Sequence, residues 1–321
     1  FAFMKVIAPR FFSAFHCIAD RCSDSCCIGW EIDVDPESEA FYRAQSGEIG
    51  NRLRAALEAG ADNVHFRLGT DERCPFLNGQ NLCDLYIALG PEHLCAICRE
   101  HPRFYSWWGS FVEAGLGLCC EEACRLLLAD ERPLTFVESE NDAPDEACEL
   151  SEDELSFLLE ARGKLFSVLQ DRSLPIEARL RRCLTLSQQM QDEWDGFPPL
   201  DDAQEAHLPD ADAVLALAAE LEPIDEGWTR LLHRAERCGK PVVLPDYVIE
   251  HAAVYLLYRW FLLFARDGDL MGGMLLTVRF CVLLRILLER GAVASPAEGL
   301  RLLSKEIEYS AENTDRFASA E

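Results

Sequence analysis

The chain has 321 residues, 49% of them hydrophobic, which is enough for a substantial folded core. Its 30 Lys and Arg residues are outnumbered by 56 Asp and Glu residues, giving a formal charge of -26 at pH 7. This charge opposes binding to nucleic-acid phosphates, so we expect no nucleic-acid partner.

The first 130 residues contain signals for several short elements. Asp35 followed by Pro36 is typical of a helix N-terminus, and we predict a helix from there to Gly60. The next predicted elements are a strand over 64–68, a helix over 91–101, an aromatic-rich hairpin over 103–118 around Gly109 and a helix over 120–129.

Residues 131–154 are acidic and irregular and include Pro133 and Pro144, which predicts a linker. Before it we place a cysteine-rich domain over 1–130, and after it an all-helical domain over 155–321 with helical periodicity. The predicted fold is therefore mainly α, with an irregular, cysteine-rich N-terminal part carrying a small β-hairpin, and a helical C-terminal domain.

Two long apolar runs cover residues 252–265 and 271–291. Arg259 interrupts the first run, and Arg279 and Arg285 interrupt the second, whereas a membrane span needs about 20 nearly uncharged residues. We predict a buried helical hairpin and no membrane partner. The opening segment lacks a long apolar stretch with a cleavage site, so we expect a cytoplasmic protein.

The 15 cysteines are concentrated at the front of the chain. Eleven precede residue 125: Cys17, Cys22, Cys26, Cys27, Cys74, Cys83, Cys95, Cys98, Cys119, Cys120 and Cys124. In a reducing cytoplasm such a concentration favours a metal site over disulfides. The other four, Cys148, Cys183, Cys238 and Cys281, are scattered and are interpreted as reduced thiols of the scaffold.

Cysteine spacing leaves the kind of metal open. Short spacings such as Cys22 to Cys26 supply ligands from one loop, but only Cys95 and Cys98 have the two-residue gap of a zinc knuckle. Both zinc and an iron-sulfur cluster fit the irregular gaps. The adjacent Cys26 and Cys27 cannot both bind one metal without a tight turn, so we expect one of them to point elsewhere.

Three stretches of the sequence resemble the signature blocks of the flagellin lysine-N-methylase family, which is itself similar to a broader group of cysteine-rich zinc- or iron-chelating proteins. They are "FHCIADRCSDSCCIGWEIDVD", "CPFLNGQNLCDLYIALGPEHLCAICREHPR" and "LGLCCEEACRLLL", in that order. The family's eight cysteine positions fall on Cys17, Cys22, Cys26, Cys27, Cys74, Cys83, Cys98 and Cys120.

The resemblance implies a methyltransferase that moves a methyl group from S-adenosylmethionine to lysines of flagellin, with a cysteine-bound iron-sulfur cluster, of the 4Fe-4S type, and with zinc as the alternative. The chain departs from the family at one block. Where the family has Ser-Cys-Pro-Glu-Ala-Ala-Arg, it has Cys119-Cys120-Glu121-Glu122-Ala123-Cys124-Arg125, and Cys95 is also additional. These surplus thiols leave the ligand set open.

Methylation of lysine needs a neutral amine, so a carboxylate or tyrosine should lie near the reacting nitrogen. Period-two alternation places Glu31 and Asp33 on one strand face, opposite Trp30, Ile32 and Val34. We predict Asp33 and Glu31, together with Tyr105, as candidate catalytic residues. The alternative is a solvated edge strand followed by a helix cap.

Aromatic faces attract both a sulfonium and an ammonium, which makes Trp30, Trp107 and Trp108 candidates for binding the methyl donor. Arg99 and Arg103 are candidates for holding its carboxylate. Packing in the core and ordinary helix-end arginines are the alternatives. The rival function is a non-enzymatic zinc- or iron-sulfur-binding interaction protein.

Overall fold

The computed structural model of the protein describes residues 4–61, 63–141, 148–198, 205–224 and 226–319. The fold is mainly α with small sheets, as predicted. In chain order the elements are β1 (Met4–Pro9), β2 (Asp33–Val34), α1 (Pro36–Ala44), α2 (Gly47–Ala56), β3 (Leu57–Ala59), β4 (Val64–Phe66), α3 (Asp84–Leu89), α4 (Ala96–Glu100), β5 (Arg103–Trp107), β6 (Phe111–Leu116), α5 (Glu121–Leu128), β7 (Phe136–Asn141), α6 (Glu152–Leu169), α7 (Ile176–Trp194), α8 (Ala211–Ala219), α9 (Glu226–Glu236), α10 (Asp246–Arg266), α11 (Leu270–Glu289), α12 (Pro296–Glu308) and α13 (Ala311–Ala318).

The chain divides into two compact units. The cysteine unit consists of residues 15–104 and 120–122, and the helical unit consists of the described residues of 1–14, 105–119 and 123–321. This division differs from the predicted ranges 1–130 and 155–321, because β1 and β6 belong to the helical unit. The predicted linker contains β7, and its residues 142–147 lie outside the described part.

The cysteine unit contains a small antiparallel sheet with β4 in the centre, between β2 and β3. The predicted alternation is present on the β2 segment: Ile32 and Val34 are buried, whereas Glu31 and Asp33 are exposed. The predicted strand over 64–68 is observed as β4. Burial of the apolar side chains on one face fixes the register of these short strands.

The helix predicted from Asp35 to Gly60 is wrong in its length. Asp35 caps α1 as expected, but α1 ends at Ala44, a second helix follows, and residues 57–59 form β3. The break comes at Gln45 and Ser46, whose backbone is extended, and α2 then begins at Gly47, whose φ of +71° is in the left-handed region that glycine tolerates. The helix predicted over 91–101 is likewise divided, into a 3-10 turn at Pro91–His93 and the short α4.

The second sheet has the strand order β5-β6-β1-β7 and belongs to the helical unit except for Arg103 and Phe104 of β5. β1 runs parallel to β6 and antiparallel to β7. Two tyrosines of α10 bind this sheet: the Tyr255 hydroxyl donates to the Leu116 carbonyl at 2.7 Å, and the Tyr258 hydroxyl donates to the Ile7 carbonyl at 2.7 Å. The hairpin predicted over 103–118 is observed as β5 and β6, with Gly109 at φ +71° in the turn.

The predicted buried hairpin is formed by α10 and α11, which pack against each other. Both are long and apolar enough to span a membrane, and 78% and 72% of their most apolar windows are buried inside the protein. The interrupting arginines have partners: Arg259 lies 3.1 Å from Glu308, and Arg285 lies 2.6 Å from Glu177. These pairs explain how charged residues are accommodated in apolar helices.

Candidate metal centre

Five cysteines of the cysteine unit belong to its hydrophobic core. We call them the core cysteines: Cys27, Cys74, Cys83, Cys95 and Cys98. Cys74 and Cys95 are 7% and 1% exposed, and the other three pack against the same core. Residues that are far apart in the sequence therefore supply thiols to one region of this unit.

Backbone hydrogen bonds hold three of the core cysteines together. The Cys74 amide donates to the Cys27 carbonyl at 2.9 Å, and an antiparallel bridge joins the flanking Ile28 and Arg73. The chain then turns back, and the Leu77 amide donates to the Cys74 carbonyl at 3.0 Å. Leu77 also forms an antiparallel bridge with Cys83. Main-chain pairing thus brings these three cysteine-bearing segments side by side.

The other two core cysteines lie at the start of the short helix α4. Cys95 is its N-cap residue, and Cys98 lies one turn further on, so their thiols interact by a hydrogen bond. Asp35 fixes this helix start by accepting a hydrogen bond from the Ala96 amide at 2.8 Å. The carboxylate that was predicted as a cap for α1 therefore also positions the Cys95–Cys98 pair.

The core thiols influence one another electrostatically. Burial, together with negative charge on Cys27, Cys83 and Cys95, raises the pKa of Cys74 to about 12. The Cys98 thiol donates a hydrogen bond to Cys95, which raises the pKa of Cys98, and burial and negative charge on Cys95, Cys27 and Cys74 raise it as well. Several thiolates are difficult to sustain here without a positive centre, and metal binding would supply one.

Four further cysteines lie in the cysteine unit outside its hydrophobic core: Cys17, Cys22, Cys26 and Cys120, which we call the outer cysteines. The Cys22 thiol donates to the Glu121 carboxylate at 3.8 Å, and the Ser23 amide donates to the same oxygen at 2.7 Å. Charge on Cys17 and Cys120 raises the pKa of Cys26, after the larger effect of its hydrogen bond with Cys27.

The adjacent Cys26 and Cys27 belong to different groups, yet their thiols share a hydrogen bond. That bond is the main cause that lowers the pKa of Cys27 to about 7, with the Arg73 guanidinium adding to it. The proximity of Arg73 was not anticipated from the sequence, although this residue directly precedes Cys74. The two thiol groups therefore meet at the Cys26–Cys27 pair.

The additional cysteines Cys119 and Cys124 lie in the helical unit, apart from the core cysteines. Cys119 belongs to the helical unit, where its thiol interacts with Tyr309, whereas the adjacent Cys120 belongs to the cysteine unit. Cys124 is buried in the helical unit and donates to the Leu118 carbonyl at 2.9 Å. Cys183 and Cys281 are also buried in the helical unit, which agrees with their interpretation as scaffold thiols, whereas Cys148 is half-buried and Cys238 is exposed.

Among the residues that the structure describes, no set of three or more His, Cys, Asp or Glu side chains has the geometry to hold a metal ion. The donor chemistry nevertheless fits a soft metal, because one unit holds nine thiols that are free of disulfides, and two pairs of them are at hydrogen-bond distance.

The two carboxylates predicted on one strand face, Glu31 and Asp33, are both exposed. Glu31 and Asp33 both point to solvent, and the Glu31 carboxylate lies 3.7 Å from the His65 ring. Trp30 lies on the other side of the chain, where its indole donates to the Cys26 carbonyl and its ring is 5.8 Å from that of His101. Burial lowers the pKa of His101 to about 4, so this imidazole is neutral at pH 7.

The two predicted donor-binding arginines are also in the cysteine unit. Arg99 is 3.6 Å from Glu100 and donates to the Leu94 carbonyl at 3.2 Å. The Arg103 guanidinium lies 5.3 Å from the centre of the Phe15 ring. Both side chains thus have local partners. This agrees with the alternative interpretation, in which they are ordinary helix-end arginines and do not bind the methyl donor.

The three predicted aromatic residues of the hairpin belong to the helical unit. Tyr105 and Trp107 are exposed with their ring centres 5.8 Å apart, whereas Trp108 is buried. Only the first two therefore offer an aromatic surface, and Trp108 is a core residue. Glu121, which accepts from the Cys22 loop, was not predicted as part of the site; its place next to Cys120 was the available signal.

Comparison with known proteins finds relatives that match slightly less than half of the chain. The flagellar biosynthetic protein FliU of Salmonella muenchen is 27% identical over 147 residues, covering 43% of this chain and 85% of that protein. The lysine-N-methylases of Salmonella typhimurium and Salmonella choleraesuis are 27% and 29% identical over 144 and 145 residues.

The match to each lysine-N-methylase covers 42% of this chain and 35% of the relative, so the chain matches about a third of their length. No family model matches the chain, and no solved structure matches it. The similarity to lysine-N-methylases confirms the resemblance that the cysteine-containing blocks indicated.

Proposed function

We propose that the chain is an S-adenosylmethionine-dependent protein-lysine N-methyltransferase that acts in the cytoplasm on flagellin or a similar surface protein. The observation that supports this most is the similarity to two proteins named lysine-N-methylase and to a flagellar biosynthetic protein. The placement of nine thiols in one compact unit adds to it, because the resemblance implies a cysteine-bound cluster.

We assign an iron-sulfur cluster of the 4Fe-4S type to the core cysteines. Cys27, Cys74, Cys83 and Cys98 would be its ligands, since they match family positions and lie in the same core. Cys95 would then act as a neighbour that shares a proton with Cys98 in the metal-free chain. When bound, the cluster would supply positive charge to the thiolates and tie the segments of this unit together.

The reaction itself is a nucleophilic displacement. The neutral lysine nitrogen attacks the methyl carbon of S-adenosylmethionine, an N–C bond forms as the C–S bond breaks, and S-adenosylhomocysteine leaves with the electron pair. The proton of the lysine ammonium must first pass to a base. Asp33 and Glu31 are the proposed acceptors, since both are exposed carboxylates that attract a cation.

The test is to incubate the anaerobically purified chain with S-adenosylmethionine and purified flagellin and to measure the flagellin mass. The proposal predicts a mass gain of one or more methyl groups on lysines, and a reduced rate for Asp33→Asn and Glu31→Gln. Asp153→Asn, an exposed acid of α6, is the control and should react at the wild-type rate. If donor binding and mass gain are both absent while metal is bound, the chain is instead a non-enzymatic zinc- or iron-sulfur-binding interaction protein.

A further inference from the structure

The small sheet of the cysteine unit carries a histidine in the middle of an acidic face. In β4, His65 is paired with Asp33 of β2 on one side and with Glu58 of β3 on the other. Residues directly opposite each other in antiparallel strands share a face of the sheet. The imidazole is therefore flanked by two exposed carboxylates in one row across the sheet.

A third carboxylate approaches the imidazole from the segment before β2. The Glu31 carboxylate lies 3.7 Å from the His65 Nε2 atom, and the Glu31 side chain is 64% exposed, whereas that of His65 is 16% exposed. The other ring nitrogen, Nδ1, is buried and has no hydrogen-bond partner among the residues that the structure describes. Nε2 is therefore the ring nitrogen on the carboxylate side.

Local packing holds the imidazole in place. The Gly60 amide, just after β3, donates to the Asn63 carbonyl, just before β4, at 2.8 Å. A Cβ atom at Gly60 would lie 3.0 Å from His65 Nδ1, so the ring packs against backbone that carries no side chain. On the opposite face of β4, Phe66 is 1% exposed and anchors the strand in the core. The imidazole thus has the defined position that a proton acceptor needs.

The charges around the ring suit an imidazolium. The charged groups that face it are Glu31, Asp33 and Glu58, with Arg67 next to Glu58. The Arg67 guanidinium donates to the Glu58 carboxylate at 2.9 Å and lowers the pKa of Glu58, and His65 adds to that effect. Glu58 therefore keeps its negative charge at neutral pH. A proton taken up by the ring would be stabilised by these carboxylates.

We propose that His65 takes up the lysine proton through Glu31, an inference that rests on the proposed methyl transfer. The lysine N–H bond breaks as the Glu31 carboxylate receives the proton. The proton then moves to Nε2 of His65, and the imidazolium releases it to water after the methylated lysine leaves. Carboxylates are ordinarily weak bases at pH 7, whereas an imidazole is matched to that pH, so the relay makes neutral lysine easier to form.

The test compares rates of flagellin methylation at saturating S-adenosylmethionine, from about pH 5.5 to 9, for the anaerobically reconstituted wild type and for His65→Gln. His65→Asn, which also cannot take up a proton, is measured in parallel. The matched control is His233→Gln, because His233 of α9 also lies beside a carboxylate, 3.2 Å from that of Glu236. Thermal unfolding and iron content should be equal in all of these chains.

At pH 7 His65→Gln should be at least about tenfold slower than the wild type, and His233→Gln should stay within about twofold of it. The wild-type rate should rise from about pH 6 and level off above about pH 7, where imidazoles are unprotonated. The His65→Gln rate should instead keep rising toward the ordinary lysine pKa of about 10.4. Because both residues lie on one route, Glu31→Gln with His65→Gln should be no slower than the slower single variant.

Two results would overturn the relay while leaving the proposed methyl transfer intact. One is methylation by His65→Gln with the same pH profile as the wild type. The other is a double variant in which the two single losses multiply. An absence of methylation by the wild type itself would instead overturn the methyl transfer, and the relay with it.

Discussion

The Cys74 backbone amide donates a hydrogen bond of 2.9 Å to the Cys27 carbonyl. This main-chain bond holds two thiol-bearing segments side by side. It also determines which of the adjacent cysteines faces the core: Cys27 packs there, and Cys26 joins the outer cysteines. The arrangement leads to predictions for the metal-free chain as well as for the metal-bound one.

In the metal-free chain, Cys27 should be modified faster than Cys74 at neutral pH. The hydrogen bond from Cys26 lowers the pKa of Cys27 to about 7, while burial raises the pKa of Cys74 to about 12. The Cys27 thiolate fraction should therefore rise from about a tenth at pH 6 to about nine tenths at pH 8. Iodoacetamide labelling followed by peptide mass spectrometry measures both rates.

The matched variant for that experiment is Cys26→Ala, which removes the donor without touching the core cysteines. It should raise the pKa of Cys27 and move its labelling to higher pH. A labelling profile of Cys27 that is unchanged by this substitution, or equal rates for Cys27 and Cys74, would disagree with the observed thiol pair.

Asp35→Ala should destabilise the cysteine unit by about 1–3 kcal/mol, because two backbone donors lose their acceptor. These are the Ser38 amide at 2.9 Å and the Ala96 amide at 2.8 Å. Burial acts to raise the pKa of Asp35, but the amide donors outweigh it and the net pKa is lowered.

A lowered pKa fixes the sign of the pH dependence. The contribution of Asp35 is fully present above the unfolded pKa of about 3.9 and is lost as the pH falls through the folded value. The stability difference between wild type and Asp35→Ala should therefore be constant from pH 7 to about 5 and shrink below about 4. Urea unfolding at several pH values measures it, and a difference that grows on acidification would contradict this role.

The neighbouring tryptophans of the hairpin should respond differently to truncation. Trp108 is 3% exposed, so Trp108→Ala should cost about 3–5 kcal/mol of unfolding free energy. Trp107 is 43% exposed, so Trp107→Ala should cost less than about 1 kcal/mol. If Trp107 contacts the donor or the lysine peptide, its loss should weaken that binding measurably; equal unfolding costs for the two variants would refute the assigned orientations.

Local patterns in the sequence predicted several elements of the fold. Alternation identified the buried Ile32 and Val34, the Asp-Pro pair identified the start of α1, and the long apolar runs identified the α10–α11 hairpin. Each of these depends on neighbours within a few residues, where periodicity and capping are decisive. The concentration of cysteines before residue 125 likewise indicated which part of the chain carries the candidate metal centre.

Long-range pairing could not be derived in the same way. β1, near the start of the chain, pairs with β6 and β7, and no short pattern encodes which strands will meet. Cys119 and Cys120 are adjacent in sequence but belong to different units. The acidic, proline-containing composition of residues 131–154 indicated a linker, whereas β7, which lies in this range, takes part in a sheet.

The most direct test of the account is the iron and sulfide content of the anaerobically reconstituted chain. We predict a coloured protein with about four irons and four sulfides per cluster. Cys83→Ser and Cys98→Ser should lose that content and loosen the cysteine unit, and Cys238→Ser, an exposed thiol of the helical unit, should retain it in full. Zinc in place of iron, or equal loss from Cys98→Ser and Cys238→Ser, would contradict the assignment of a cluster to the core cysteines.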